Sequence, residues 1–370
     1  MTTYADLGLR PIINAAATLT RLGGSRMPAP VVEAMVAAAG SFIDLELLQE
    51  RVGARIAQLT HNEACYVSSG AAAGIVLAVA ACITGSDRAA IGHFPHIEHT
   101  RNTVIIHHSQ RNSYDYAIRQ TGARLVEIGT AQFTQPDELR AAITPQTACI
   151  VYFAGTHYAS GALPLADVIE IAHAARVPVV VDAAAQIPPI SNLWQFTREN
   201  GADLVIFSGG KGLRGPQSAG LVLGRPDLIQ ACHLNGNPYA SIGRPMKVGK
   251  EELMGMLAAI EWSLAQDEPA LLEHYERIVQ YWLSGLQDLA GIQANRGYPS
   301  EAGQPHPRTI VQILPTSGHS RDQVVAALLH GDPAVAVGSI GTDTIALNPQ
   351  TIAPGEEHLV LTALRNVLGV

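Results

Sequence analysis

Short runs of strand-favouring residues alternate with helical stretches through the first two-thirds of this 370-residue chain, and that rhythm restricts the fold more than any other feature. The predicted strands cover residues 64–67, 89–91, 103–106, 124–128, 148–153, 177–181, 204–207 and 219–223. Predicted helices cover 28–39, 45–59, 71–83, 114–120, 136–142 and 165–175, with Leu48, Val52, Ile56 and Leu59 on one face of the second. Such alternation predicts an α/β fold, an open and mostly parallel sheet flanked by helices. From about Lys250 the pattern changes. A long helical stretch over 251–289 leads to strands near 309–314, 335–337 and 344–347 and helices over 321–329 and 356–368, a smaller α+β region. The expected organisation is an N-terminal segment 1–25, a large domain 26–250, and a linking helix with a small C-terminal domain over 251–370. Residues 297–307, rich in glycine and proline, read as a surface loop.

Composition narrows the class. Charged residues are only 15% of the chain and the net charge is −8 without a basic run, which argues against nucleic-acid binding as the main task. No apolar run reaches the roughly 18–20 residues of a membrane span, and the first residues lack the basic start and apolar block of a signal peptide. Cys65, Cys82, Cys149 and Cys232 are far apart in apolar segments, as expected of reduced buried thiols in a cytoplasmic protein.

Lysine occurs three times, and Lys211 lies in Ser208-Gly209-Gly210-Lys211-Gly212 directly after an apolar strand. A lysine in a glycine-rich turn at a strand end can form a Schiff base, which arginine cannot readily do. Two other strand ends carry complementary chemistry. Ser68-Ser69-Gly70-Ala71-Ala72 joins a strand to an apolar helix, where small residues and free N–H groups suit a phosphate. Asp182 ends the apolar run 179–181; a carboxylate there needs a partner, and a protonated pyridine nitrogen would be one. Taken singly, each has an ordinary alternative: a solvated lysine, a small-residue turn, an aspartate capping the next helix. Phosphate turn, then acid, then lysine about thirty residues later is the order expected of one pyridoxal 5′-phosphate site, since open α/β sheets bind ligands beyond their carboxyl strand ends.

The chain resembles the fold-type I pyridoxal-phosphate enzymes of the selenocysteine synthase-like branch, which includes L-seryl-tRNA(Sec) selenium transferases and D-glucosaminate-6-phosphate ammonia-lyase-like proteins. The carriers are Ile13-Asn14-Ala15 with Thr18 and Thr20, Leu22 to Ser25, Tyr66 to Gly74, and Gln110 to Asp115. They continue through Val181 to Pro189, Phe207 to Gln217 and Gly243 to Glu252. The resemblance implies Lys211 as the Schiff-base residue, Asp182 on the pyridine nitrogen, Ser69, Gly70, Ala71, Ala72 and Ser208 on the phosphate, and a homo-oligomer, at least a dimer. Arg244 or Lys247 would then contact the cofactor of a neighbouring subunit. Two departures stand out. Gln110 occupies the place of a histidine expected to cover the cofactor ring, and Ala15-Ala16-Ala17-Thr18 replaces a more usual Ala-x-Gly-Thr.

His157 follows another strand end and is the candidate second acid or base, while Arg308 and Arg26, with Arg21 as a rival, are candidates for a substrate carboxylate. His93, His96 and His99 stand three apart, but Pro95 interrupts them and no metal is expected. Lys211, released as an amine, would take a substrate's α-proton. The preferred reading is a lyase acting on a β-hydroxy or β-substituted amino acid, giving a keto acid and ammonia. A racemase or epimerase is the alternative, followed by an aldolase or a tRNA-linked selenium transferase.

Overall fold

The computed structural model describes residues 2–156 and 160–369. In chain order its strands are β1 (Ile12–Ala15), β2 (Ala64–Ser68), β3 (Thr103–His107), β4 (Arg124–Ile128), β5 (Thr147–Phe153), β6 (Val179–Asp182), β7 (Leu204–Ser208), β8 (Gly220–Gly224), β9 (Ile292–Gly297), β10 (Arg308–Ile313), β11 (Ala334–Ile340) and β12 (Thr344–Leu347). They build two sheets in two compact units, one of Met27–Ala265 and one of Met1–Arg26 with Gln266–Val370.

The larger unit carries the sheet β2-β8-β7-β6-β5-β3-β4, in which β8 alone runs antiparallel. Central strands buried on both faces read as continuous apolar runs rather than alternating ones. Alternate side chains still separate: Ile105, Ile150 and Val181 enter one core, Val104, Val151 and Val180 the other. Helix Ala71–Thr84 is apolar nearly all round and is buried against the second face. Helices Leu45–Leu59, Leu165–Ala174 and Lys250–Leu264 cover the first.

The smaller unit carries the sheet β1-β11-β12-β10-β9. Its core gathers Ile13, Trp282, Val311, Val335 and Leu361, and the Trp282 indole N–H donates to Glu357 O at 2.9 Å. Among the described residues, no helix is long and apolar enough to cross a membrane.

Several expectations need correction. Residues 89–91 are not a strand: Asp87 accepts from the N–H groups of Ala89 (2.9 Å) and Ala90 (3.3 Å) and starts a helical turn, Arg88–Ile91. The stretch 251–289 is two helices, because Asp267 caps Glu268–Leu286 through the Ala270 N–H and Pro269 sits in its first turn. The first of the two, Lys250–Leu264, buries Leu253, Met256 and Ile260 in the larger unit, so the division falls after Ala265 rather than after 250. Residues 1–25 are no separate segment: β1 pairs in parallel with β11, Ile12 with Ala334 through Ala15 with Val337. Strand β9 lies at a sheet edge with mixed exposure and leaves no alternation to read. Residues 298–307 connect β9 to β10, yet Ser300, Gln304 and His306 within them are buried.

Candidate active site

At the carboxyl edge of the large sheet, Ser68 of β2 and Ser208 of β7 both pair with Gly220, which opens β8 between them. A Cβ on Gly220 would stand 2.7 Å from Gly70 C and 2.9 Å from Ala71 N, so the strand runs directly beneath the turn. That turn contains Gly70 at φ 90° and leads into helix Ala71–Thr84. No side chain caps this helix, so its first N–H groups point outward without an intrahelical acceptor and with the positive end of the helix dipole behind them. Ser69, Gly70 and Ala71 are half-buried and Ala72 is exposed. Such a turn can hold a phosphate.

One strand over from β7, Asp182 ends β6 between Phe153 and Ile206. It is 8% exposed and accepts the Ala184 N–H at 2.9 Å. Burial pushes its carboxyl above the ordinary value, while the Ala184 N–H and the charge of Lys211 pull it back. A carboxylate in so poor a solvent environment is best stabilised by a cation.

Lys211 lies in a loop pinned by backbone contacts. The Gly209 N–H donates to Ala219 O and the Gly215 N–H to Gly209 O, both at 2.8 Å; the Arg214 N–H donates to Lys211 O at 3.0 Å. A Cβ on Gly209 would meet Ala219 O at 2.8 Å, on Gly210 the Gln217 Cα at 2.5 Å, and on Gly212 the Ile187 carbonyl at 2.1 Å. Every neighbour of Lys211 within this run must therefore be glycine, and the loop after β6, which carries Ile187, fixes it from the Asp182 side. Arg214, at φ 52°, stacks over Trp262 at 5.8 Å.

The remaining candidates scatter. Gln110 does not cover a ring: its Nε2 donates to Phe153 O (3.2 Å), its Oε1 accepts from Phe153 N–H (3.1 Å), and it is wholly buried as a brace between β3 and β5. Beside it His107 is also wholly buried, neither ring nitrogen is hydrogen-bonded, and burial lowers its pKa to about 4, with Gln110 opposing. His157 lies outside the described residues. His93, His96 and His99 are exposed, and among the described residues no His/Cys/Asp/Glu group is placed to hold a metal. In the smaller unit the Arg26 fork is closed on Glu356 at 3.0 and 2.9 Å, whereas Arg308 is half-buried and its Nε has no partner. Arg21, Arg244 and Lys247 are exposed. The residue that sequence reasoning missed is Gly220; a glycine opening an otherwise apolar strand was the signal.

Lysine amine, buried carboxylate and uncapped helix start at one sheet edge fit pyridoxal 5′-phosphate, and they define a fold-type I enzyme of that cofactor. The profile of the aminotransferase class-V family matches residues 82–354, and the chain belongs to that family. It is 32% identical over 376 residues to the 5′-C-glycyluridine monooxygenase-decarboxylase of Streptomyces sp, covering 99% of this chain and 92% of the relative. It is likewise 32% identical over 373 residues to the D-glucosaminate-6-phosphate ammonia lyase of Salmonella typhimurium, covering 98% and 97%. A solved D-glucosaminate-6-phosphate ammonia-lyase superposes with a TM-score of 0.86 at 31% identity over 100% of this chain and 99% of that one. The chain is thus a pyridoxal-phosphate-dependent enzyme similar over nearly its whole length to this ammonia lyase. The ammonia lyases among these relatives do not favour the racemase and aldolase alternatives.

Proposed function

We propose that the chain eliminates a β-hydroxyl and then ammonia from a sugar-derived 2-amino acid, D-glucosaminate 6-phosphate or a close analogue. The observation that carries this reading is the placement at one sheet edge of buried Asp182, the glycine-packed loop of Lys211 and the uncapped start of helix Ala71–Thr84. Pyridoxal 5′-phosphate, when bound, supplies an electron sink for the charge left at the substrate Cα. The residues to hold it are the turn Ser69, Gly70, Ala71 and Ala72 with Ser208 for the phosphate, and Asp182 for the pyridine nitrogen.

Lys211, as a neutral amine, takes the proton from Cα and returns one to the departing hydroxyl. The glycine packing around it removes freedom from the loop, so its amine approaches from a set direction. His157 is the candidate second acid or base of the site. Arg308 holds an anionic group of the substrate, whereas the Arg26 fork is already closed on Glu356. Arg244 and Lys247 reach toward a second copy in a homo-oligomer working in the cytoplasm.

The test is to incubate holoenzyme with D-glucosaminate 6-phosphate and follow ammonia, 2-keto acid, carbon dioxide and dissolved oxygen together. Ammonia and keto acid in equal amounts without oxygen uptake is the expected result. Carbon dioxide with oxygen uptake would instead favour the decarboxylase reading, which the relative of the same 32% identity keeps in play.

A further inference from the structure

In the smaller unit, Arg308 opens β10 opposite Gly297 of β9, and β12 leads into Asn348 on its other side, since Thr309 pairs with Leu347. The guanidinium is enclosed: its side chain is 15% exposed and Nε is buried without a hydrogen bond. The acidic group beside it is Glu301, at 3.4 Å from Nη1. That is longer than the roughly 2.7–2.9 Å of a formed charge-assisted hydrogen bond. Burial lowers the Arg308 pKa and Glu301 opposes the shift; neighbouring His306, with a pKa of about 4, brings no charge.

Glu301 is itself held elsewhere. Its Oε2 accepts from Asn348 Nδ2 at 2.9 Å. Asn348 is 1% exposed and immobilised, donating its N–H to Ala15 O at 2.8 Å and accepting the Gln350 N–H at 2.8 Å. Glu301 remains 39% exposed and can swing away. The contrast is with Arg26 and Glu356 in the same unit, a two-pronged pair at 3.0 and 2.9 Å that leaves nothing for a ligand.

We infer that Glu301 is a built-in competitor for the oxyanion site at Arg308, parked on Asn348 until a substrate carboxylate or phosphate displaces it from the guanidinium. The inference rests on the reading of Arg308 as a substrate-binding residue. An incoming anion places two oxygens at full hydrogen-bond distance on a fork that Glu301 touches only loosely. The apparent affinity is then the intrinsic one reduced by the fraction of molecules in which Glu301 has moved aside. Glu301 is thus a positioning residue that sets how strongly, and for which anion, the small unit binds.

The experiment titrates holoenzyme, with its cofactor site filled, with acetate and separately with inorganic phosphate at constant ionic strength. The proteins are wild type, Glu301→Gln, Glu301→Asp, Arg308→Gln and the Glu301→Gln/Arg308→Gln double variant, and the readout is the ligand-induced shift in melting midpoint. Glu301→Gln should bind anion roughly two- to five-fold tighter, the range of a partly exposed ion pair. Its unliganded midpoint should fall only slightly, by the loss of the same weak ion pair, Glu301→Asp should behave nearly as wild type, and the double variant should lose the gain. A purely structural Glu301 would not raise affinity. If Glu301→Gln leaves affinity equal or weaker while Arg308→Gln abolishes it, the inference fails and the reading of Arg308 stands. If Arg308→Gln changes nothing, or if neither anion binds any of the proteins, both fall. Preference for acetate identifies the substrate carboxylate as the natural occupant, and preference for phosphate identifies its phosphoryl group.

Discussion

The two units approach ligand binding in opposite ways. In the larger one the functional groups sit at strand ends whose positions follow from backbone packing: Gly220 beneath Gly70, Gly212 against Ile187, Gly209 against Ala219. In the smaller one the proposed anion site is made of side chains, Arg308, Glu301 and Asn348, whose mutual hydrogen bonds are incomplete or exchangeable. On the proposed assignment, a cofactor that stays bound would be matched by a rigid cradle, and a substrate that comes and goes by polar groups with somewhere else to rest. The comparison predicts that damage in the larger unit abolishes chemistry, while damage in the smaller unit shifts affinity.

The largest effect is expected from Lys211→Ala, which should lower kcat by roughly 10³–10⁴-fold, the scale of a lost general base, with little change in the melting midpoint. Asp182→Asn should cost kcat about 10²-fold, yet leave the cofactor-free protein at least as stable, because the substitution removes a desolvated carboxyl whose pKa burial raises. A clear loss of cofactor-free stability in Asp182→Asn would show that the carboxylate is structural and would break the contrast. Gly212→Ala forces a Cβ within 2.1 Å of the Ile187 carbonyl; overpacking of this kind costs about 1–3 kcal/mol and should weaken cofactor retention measurably. Its counterpart in the smaller unit, Gly318→Ala, meets no atom within 4 Å and suffers only from φ 74°, worth about 1 kcal/mol. Cofactor affinity should not respond to it.

Among the described residues, each unit buries one histidine, His107 and His306, both with a pKa lowered to about 4. In the unfolded chain these groups take a proton near their ordinary value of 6.5. Between pH 6.5 and 4 the unfolded state therefore binds more protons, and stability should fall as pH falls through that window. Denaturant unfolding at several pH values should show the fall, and His107→Gln and His306→Gln should each flatten part of it. The smallest effect is expected at Arg26→Ala, which removes an ion pair whose arginine is 62% exposed and should change stability by at most about 1 kcal/mol.

The same contrast explains what could be read from the sequence. Strands β5, β6 and β7 are apolar runs buried on both faces, so they stand out without alternation, and Asp182 and Lys211 stand out because one ends such a run and the other lies in the turn just after one. The glycines around Lys211 carry the close approaches in their identity. Residue pairs held by side chains across long sequence separations leave no such trace. Nothing local joins Asn348 to Glu301 or Gln110 to Phe153, so the buried role of Gln110 and the meeting at Arg308 appear only in three dimensions. Strand β1 was hidden for a related reason: its partner β11 lies over three hundred residues away.

The most direct measurement is the absorbance spectrum of purified wild-type protein and Lys211→Ala after addition of pyridoxal 5′-phosphate and removal of the excess. A band near ~420 nm in wild type, lost or displaced in Lys211→Ala, is the result expected of a cofactor joined to that lysine. Identical spectra for the two proteins, or no band in either, would contradict the assignment of Lys211 on which the proposed chemistry rests.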